Sequence, residues 1–283
     1  MLAIITDSTC DLTAAELERL NVHRVPLYVN FQGKMHHDWI DINPGMIISG
    51  VQGGAALPTT SQPSPEDFTK AYQSAIKAGA SEILVVTITS GMSGTYQSAN
   101  LAAKDCSVPV SIVDSENASA GIAVLVRQAV KMREAGADRA SIVSTLEAMR
   151  AHMGVFFSVG TLEFLQKGGR IGRAQALLGG LLNVRPILTL EAGKIAPAGK
   201  ARGVKKTIAE LVDRVKAHAS AHSGELVIDF LHIQEPDAVE TFKQALRDAG
   251  VSFTDSGTIE IGAVIAAHVG PGTFGAYLHI KPS

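Results

Sequence analysis

Two cysteines, Cys10 and Cys106, stand in 283 residues. They form no close metal-ligand spacing, and two thiols in a chain this long do not make a disulfide scaffold. A reducing, cytoplasmic setting is therefore expected. Aromatic residues make up only 5% of the chain, and no stretch interleaves them with clustered lysine and arginine. With a net charge of -2 the chain has no general attraction for nucleic acid, so no nucleic-acid partner is expected. No apolar run reaches the length of a membrane span. The opening MLAIITD meets an acid at Asp7 after a short apolar run without a basic lead, which reads as a first strand and no signal peptide. The hydrophobic fraction of 46% and charged fraction of 18% suit a globular chain with a substantial core, and the length allows two ordinary domains.

Residues 83–99, ILVVTITSGMSGTYQSA, organise the rest. A β-branched apolar run passes through a Ser/Gly/Thr turn into helix-compatible residues, which reads as strand, tight loop and helix N-terminus. The N–H groups of Gly94 and Thr95 would be unpaired first-turn donors beside the hydroxyls of Ser93 and Thr95. An anion placed there gains hydrogen bonds and the positive end of the helix dipole. Gly91 and Gly94 would let a ligand approach the backbone.

In chain order, residues 3–6 read as a buried strand with Asp7, Ser8 and Thr9 at its C-terminal end, the edge where ligands gather in parallel sheets. For Asp7, turn formation and a ligand-side role both stand open. Thr13 and Glu16 make a capping box for a helix through Leu20. A second strand is expected over 24–29. Residues 32–64 read as long, Gly-rich and irregular, with a short helix near Met46. His36, His37, Asp38 and Asp41 invite a metal reading, but neighbours on an extended chain face opposite ways, leaving only His36 and Asp38 together. A solvated loop is the better reading, and no metal is expected. In LPTTSQPSP, residues 57–65, Ser64 and Pro65 open a helix through Ala78, which leaves Thr60 and Ser61 free for another task. A strand over 110–113 ends in Asp114 and Ser115, repeating the Asp-Ser ending of the first. Helices over 118–134 and 139–152, the second capped by Asp138, complete a βα series.

The pattern then changes. A strand over 155–159, a short helix from Leu162 and a hairpin of 186–190 with 194–198 are followed by helices over 204–219 and 236–249. Strands over 226–231, 258–261 and 276–280 are interleaved with them. The expected fold class is α/β: an N-terminal doubly wound parallel-sheet domain, 1–153, and a C-terminal mixed α+β domain, 154–283.

Ser93, the Thr60/Ser61 pair and His268 in HVGPG are the polar groups that could converge. His268 follows the apolar run 261–267, so a histidine satisfied at the end of a core strand is the bland reading. Its Gly-Pro-Gly sequel favours a site at a domain interface. One chemistry is a hydrolase with Ser93 as nucleophile, Asp114 as orienter and His268 as base. Against it, Gly91-Met92-Ser93-Gly94-Thr95 puts threonine where a strained elbow needs a small residue. The other is a binder of a molecule with an anionic end and a long apolar body. Leu177, Leu178, Leu181, Leu182, Ile261, Val264, Ile265 and Phe274 would line its channel, or else form an ordinary core. At about 0.8 kcal/mol per buried CH₂, a chain of roughly sixteen carbons gains on the order of 10 kcal/mol gross. The dipole at Gly94 and a charged His268 would keep the head group ionised. Arg170, Arg173, Lys200, Arg202, Lys205 and Lys206 form a local basic zone, either solvated surface or a docking patch for an acidic or phosphate-carrying partner.

The stretches TDSTCDL, TTSQPSP, SGMSGTYQSA, LQKGGRIGRAQALLGGLLNVRPIL, GKARGVKK and HVGPGTFGA together make the whole chain resemble the DegV family. The resemblance implies a bacterial, two-domain, fatty-acid-binding protein with a single long-chain fatty acid held between its domains, similar to the B subunit of fatty acid kinase. Such a subunit is not itself an enzyme and needs no cofactor. It presents the carboxylate to a separate ATP-binding kinase subunit, which makes the acyl phosphate used in phospholipid synthesis. Its partners are the fatty acid, the kinase subunit and, transiently, a membrane. Carried over, the carboxylate-binding set is Thr60 or Ser61, Ser93 with Gly94, and His268; the kinase-facing set is Arg170 and Arg202. Arg185 stands where lysine is more usual, and the bulk of Phe274 would shorten the channel. The runner-up is a serine hydrolase acting on an acyl ester through Ser93, Asp114 and His268. A lipid binder without a kinase partner is a third reading.

Overall fold

The computed structural model describes residues 1–178 and 184–281. The chain divides into two compact units, one of Met1–Asn43, Pro58–Ala151 and Gly262–Val264, the other of Pro44–Leu57, His152–Ile261 and Ile265–Ser283.

The first unit is built on a four-stranded parallel sheet. It comprises β1 (Leu2–Asp7), β2 (Val22–Val25), β6 (Glu82–Thr87) and β7 (Val110–Asp114), in the order β2-β1-β6-β7. In β1 and β6 every residue after the first is buried, as expected where helices cover both faces. Ala3, Ile5, Ile83 and Val85 pack on one face against Phe68, Tyr72 and Ala75 of α3 (Pro65–Lys77) and Ala99 and Ala102 of α4 (Thr95–Ala103). The alternate residues Ile4 and Leu84 are also fully buried, and α5 (Ala120–Glu134) packs against both strands. The expected capping box of α1 (Ala14–Leu20) is present: Glu16 N–H donates to Thr13 Oγ1 while Thr13 N–H donates to Glu16. Ser64 caps α3 in the same reciprocal way with Asp67, and Asp138 caps α6 (Arg139–Arg150). The doubly wound reading therefore holds.

Three expectations here need correction. The strand expected over 24–29 is two strands in different sheets, because Pro26 cannot donate to a ladder and interrupts the pairing. β2 ends at Val25, and β3 (Tyr28–Phe31) centres a three-stranded antiparallel sheet with β4 (Lys34–His37) and β5 (Thr59–Ser61). The segment expected to be irregular thus holds two strands as well as α2 (Pro44–Gln52). Nor is Asp38 in a solvated loop. It is fully buried, and its Oδ1 accepts Val264 N–H at 3.3 Å.

The second unit carries a six-stranded sheet in the order β10-β9-β8-β13-β11-β12. Its strands are β8 (Gly154–Ser158), β9 (Val184–Glu191), β10 (Lys194–Arg202), β11 (Leu226–His232), β12 (Thr254–Glu260) and β13 (Phe274–Ile280). Among the described residues only β11 and β12 pair in parallel in this sheet, so it is mixed as expected. Ala192 and Gly193, at φ +47° and +70°, make the left-handed turn that a two-residue hairpin between β9 and β10 requires. Ile208, Leu211 and Val215 of α8 (Gly203–Ala221) and Val239, Phe242 and Leu246 of α9 (Pro236–Asp248) close the core over Ile228, Phe230 and Leu278. Phe274 is fully buried and packs in that same core. A short helix, α7 (Glu163–Lys167), follows β8. Residues 263–269 form the helix α10 (Ala263–Val269) where a core strand was expected; an unbroken apolar run has no period to tell the two apart.

Three histidines meet at the end of α8. The His218 and His222 rings lie 4.3 Å apart between centroids, and His152 meets His222 edge-on at 5.7 Å. Burial, helped by His222, pushes His218 from 6.5 down to about 4. A base held below its unfolded pKa opposes protonation in the fold, so its contribution is complete above pH 6.5 and is lost as pH falls towards 4. Thermal unfolding of the full chain across this range should therefore show His218→Gln losing less stability than the wild type. Parallel pH curves for the two proteins would refute the assignment.

Candidate functional site

The loop leaving β6 is anchored before it reaches Ser93. Asp7, at the end of β1, accepts Ile88 N–H at 2.7 Å through Oδ2 and Thr9 N–H at 2.9 Å through Oδ1, with the Thr9 hydroxyl also donating to Oδ1. Of the two roles open for Asp7, the structure shows turn and loop anchoring. Desolvation pushes Asp7 up to about 6, against the pull of these three donors. From the other flank Asp114 accepts Ser90 N–H at 3.2 Å and Glu116 N–H at 2.9 Å.

Past these anchors, Ser93 Oγ lies 2.8 Å from Thr95 Oγ1 and accepts Thr95 N–H at 3.3 Å. The first-turn donor Thr95 N–H, expected to be unpaired, is thus held by Ser93. Gly94 is the N-cap of α4 and brings no side chain to the position. A Cβ on Gly94 would fall 2.1 Å from the Gln62 amide oxygen, so at this position the side chain approaching the backbone is Gln62. That amide also donates to Ser98 Oγ at 3.1 Å. Gln62 was not singled out in the sequence, although it lies in the TTSQPSP motif. Thr60 and Ser61 are successive residues of β5, opposite Val29 and Tyr28, so their side chains point to opposite faces. Thr60 is half-buried and Ser61 exposed.

The second unit brings His268 and Arg170 together. His268 lies in the last turn of α10, largely buried, with its ring against the Gly168 backbone. A Cβ on Gly168 would come within 2.4 Å of His268 Nδ1, so the ring needs glycine there. Arg170 donates to Gly168 O at 2.7 Å. Burial, aided by the Arg170 charge, pushes His268 down to about 4, so the imidazole is neutral at pH 7. Without a ligand the cation of this pair is Arg170; the charged His268 expected from the sequence is one that stands beside a bound carboxylate. Arg185, another residue missed as a contributor, donates to Gly272 O and lies 5.4 Å from the Phe274 ring centroid. It fixes the Gly-Pro-Gly loop that follows His268.

Of the basic zone, Arg173 is paired with Glu191. Arg202 is exposed at the N-cap of α8, and with Lys200, Lys206 and Glu210 it lines a surface cavity of about 360 Å³. Leu177 and Leu178 line a neighbouring cavity of about 460 Å³ with Gly160, Thr161, Leu162 and Gln166. Ile261 and Val264 are buried, while Leu181 and Leu182, expected beside them on the channel, lie outside the described residues. Among the described residues no group of three or more His, Cys, Asp and Glu is arranged to hold a metal ion. No helix among them is long and apolar enough to cross a membrane.

A parallel α/β unit with a hydroxyl pair at a helix start, and a mixed α+β unit with a half-buried histidine beside an arginine, define an α/β protein of two units. The chain belongs to the DegV family: the family model, described as covering uncharacterised proteins, matches residues 1–281. It is 40% identical over 277 residues to a DegV domain-containing protein of Deinococcus radiodurans, covering 98% of each chain. It is 34% identical to a fatty acid-binding protein of Thermotoga maritima, covering 96% of this chain and 95% of that one. A solved DegV family protein of Thermus thermophilus, described by its fatty acid binding, superposes with a TM-score of 0.94 at 43% identity over 99% of both chains.

The neutral state of His268 is open to test. In the ligand-free protein its imidazole should titrate near 4 by heteronuclear NMR, and Arg170→Ala should move that value upward. An ordinary value near 6.5 in both proteins would remove the burial argument.

Proposed function

We propose that this protein binds a single long-chain fatty acid in an apolar tunnel and is not itself an enzyme. In this reading the carboxylate is taken by Ser93 with Gly94, by Thr60 or Ser61, and by His268. The observation that carries it is the Ser93–Thr95 hydroxyl pair at the start of α4, in a chain 43% identical to a solved fatty-acid binder. Hydroxyls and the positive end of a helix dipole suit a carboxylate, and the apolar chain supplies most of the affinity. Of Thr60 and Ser61 the half-buried Thr60 is the better candidate, since β5 turns the two apart. His268, neutral when unliganded, offers an N–H donor beside the Arg170 charge.

The finer reading is that the protein presents this carboxylate to a separate ATP-binding kinase subunit in the cytoplasm, for conversion to an acyl phosphate. The exposed Arg202 and the half-buried Arg170 would meet that partner, as arginine suits acidic and phosphate-bearing surfaces. The hydrolase reading is the weaker one. Asp114 spends its carboxylate on Ser90 and Glu116 N–H groups, and Ser93 is bonded to Thr95.

Native mass spectrometry of protein purified without added lipid, followed by denaturing extraction, should release one fatty acid per chain. Ser93→Ala should weaken fatty-acid binding by about tenfold, the scale of a hydrogen bond to a charged group. With a fatty acid kinase subunit and ATP added, Arg170→Ala and Arg202→Ala should lower acyl phosphate formation while leaving lipid bound. A protein that is empty and takes up no fatty acid refutes the proposal. Ester hydrolysis abolished by Ser93→Ala would install the hydrolase instead.

A further inference from the structure

β1 and β7 flank β6 in the sheet, and each ends in an aspartate whose carboxylate reaches sideways to the loop leaving β6. Asp7 takes Ile88 N–H at 2.7 Å, at the first residue after the strand. Asp114 takes Ser90 N–H, with both of its oxygens 3.2 Å from that nitrogen. Between them Thr89 N–H donates to Asn117 O at 2.9 Å, beside β7. Three successive residues of the loop are thus held from the two neighbouring strands. Thr89 then passes this placement on: its carbonyl accepts the N–H groups of Met92 and Ser93 at 3.2 Å, and its hydroxyl accepts Gly91 N–H at 3.1 Å. The aspartate of the repeated Asp-Ser ending of β1 and β7 therefore plays the same part at both positions.

Asp7 and Asp114 cap their own turns through Thr9 and Glu116 N–H, but each carboxylate also reaches across to the 88–94 loop. Burying Asp7 completely is costly, and backbone carbonyls or a hydroxyl could satisfy one N–H group. What two carboxylates add is stiffness, because a charged acceptor holds an N–H group about twice as strongly as a neutral one. We propose that Asp7 and Asp114 are positioning residues that brace the 88–94 loop, and through Thr89 set where the Ser93 hydroxyl stands. They act on recognition of the carboxylate and leave the binding of the apolar chain alone. This inference rests on the fatty-acid reading of the Ser93 site.

The test compares two probes of equal chain length, palmitic acid and 1-hexadecanol, by calorimetric titration of the full, delipidated chain. The wild type should prefer the acid. Asp114→Ala removes both acceptors and should cut that preference by about tenfold, with hexadecanol affinity unchanged, the scale of losing one or two charged hydrogen bonds. Asp114→Asn keeps an amide oxygen for Ser90 and Glu116 but loses the charge, and should restore only part of the preference. Asp7→Asn turns an NH₂ group towards backbone donors and should cut it as Asp114→Ala does. If Asp7→Asn does not fold, the two Asp114 variants decide alone. Equal loss of both probes would make the residues merely structural and overturn the brace. So would a wild-type preference that survives in every variant. A wild type that binds neither probe, or binds the alcohol as well as the acid, overturns the fatty-acid reading itself.

Discussion

Where a buried parallel strand ends, its chain must turn away while its N–H groups are still out of reach of water. β1 and β6 are buried almost from end to end, so this problem arises deep inside the first unit. An unpaired buried N–H group costs about as much as a lost hydrogen bond, on the order of 1–3 kcal/mol. The chain answers with short polar side chains next to the strand ends. Asp7 serves Ile88 and Thr9, Ser8 Oγ accepts Leu27 N–H at 3.0 Å, and Asp11 Oδ1 accepts Gly262 N–H at 3.1 Å. Asp38 serves Val264, so the segment Gly262–Val264 is held in the first unit by two carboxylates.

The same burial works against those acids. Asp11 is pushed up to about 8 by desolvation, with the neighbouring charge of Asp38 adding to it, and Asp38 itself is pushed up to about 6. Burial therefore favours the protonated form of Asp11, which lessens the repulsion between the two buried acids. Its Oδ1 accepts from both Gly262 and the Trp39 indole. The polar edge is an electrostatic compromise in which hydrogen bonds favour the charged form and burial the neutral one.

Much of this was legible. Two capping boxes, the Asp138 cap and the Glu191-Ala192-Gly193 turn are local devices whose residues sit within a few positions of one another, so sequence alone displays them. The parallel sheet was equally clear, since β1 and β6 are continuous β-branched runs. What failed was either aperiodic or long-range. The 261–267 run has no period, so helix and strand looked alike, and the polar strand KMHH of β4 carries no alternation of apolar residues to announce it. The Gln62 amide against Gly94, and Asp11 beside a turn 251 residues away, leave no mark at any local spacing.

The His268–Arg170 pair shows why the charge state at the proposed head-group position could not be taken from residue type. A histidine beside an anion would gain a proton, and the sequence suggested that arrangement. In the fold the neighbour is a cation and the ring is buried, so both influences favour neutral imidazole. The positive charge is then carried by a guanidinium that cannot lose its proton, anchored through Gly168 O. An incoming carboxylate would offset the Arg170 charge and ease protonation of His268. Under the proposed function the ligand thus raises the basicity of its own partner, and occupancy is linked to proton uptake below neutral pH. The ligand-free imidazole, held neutral by burial and Arg170, is the reference state from which that uptake is counted.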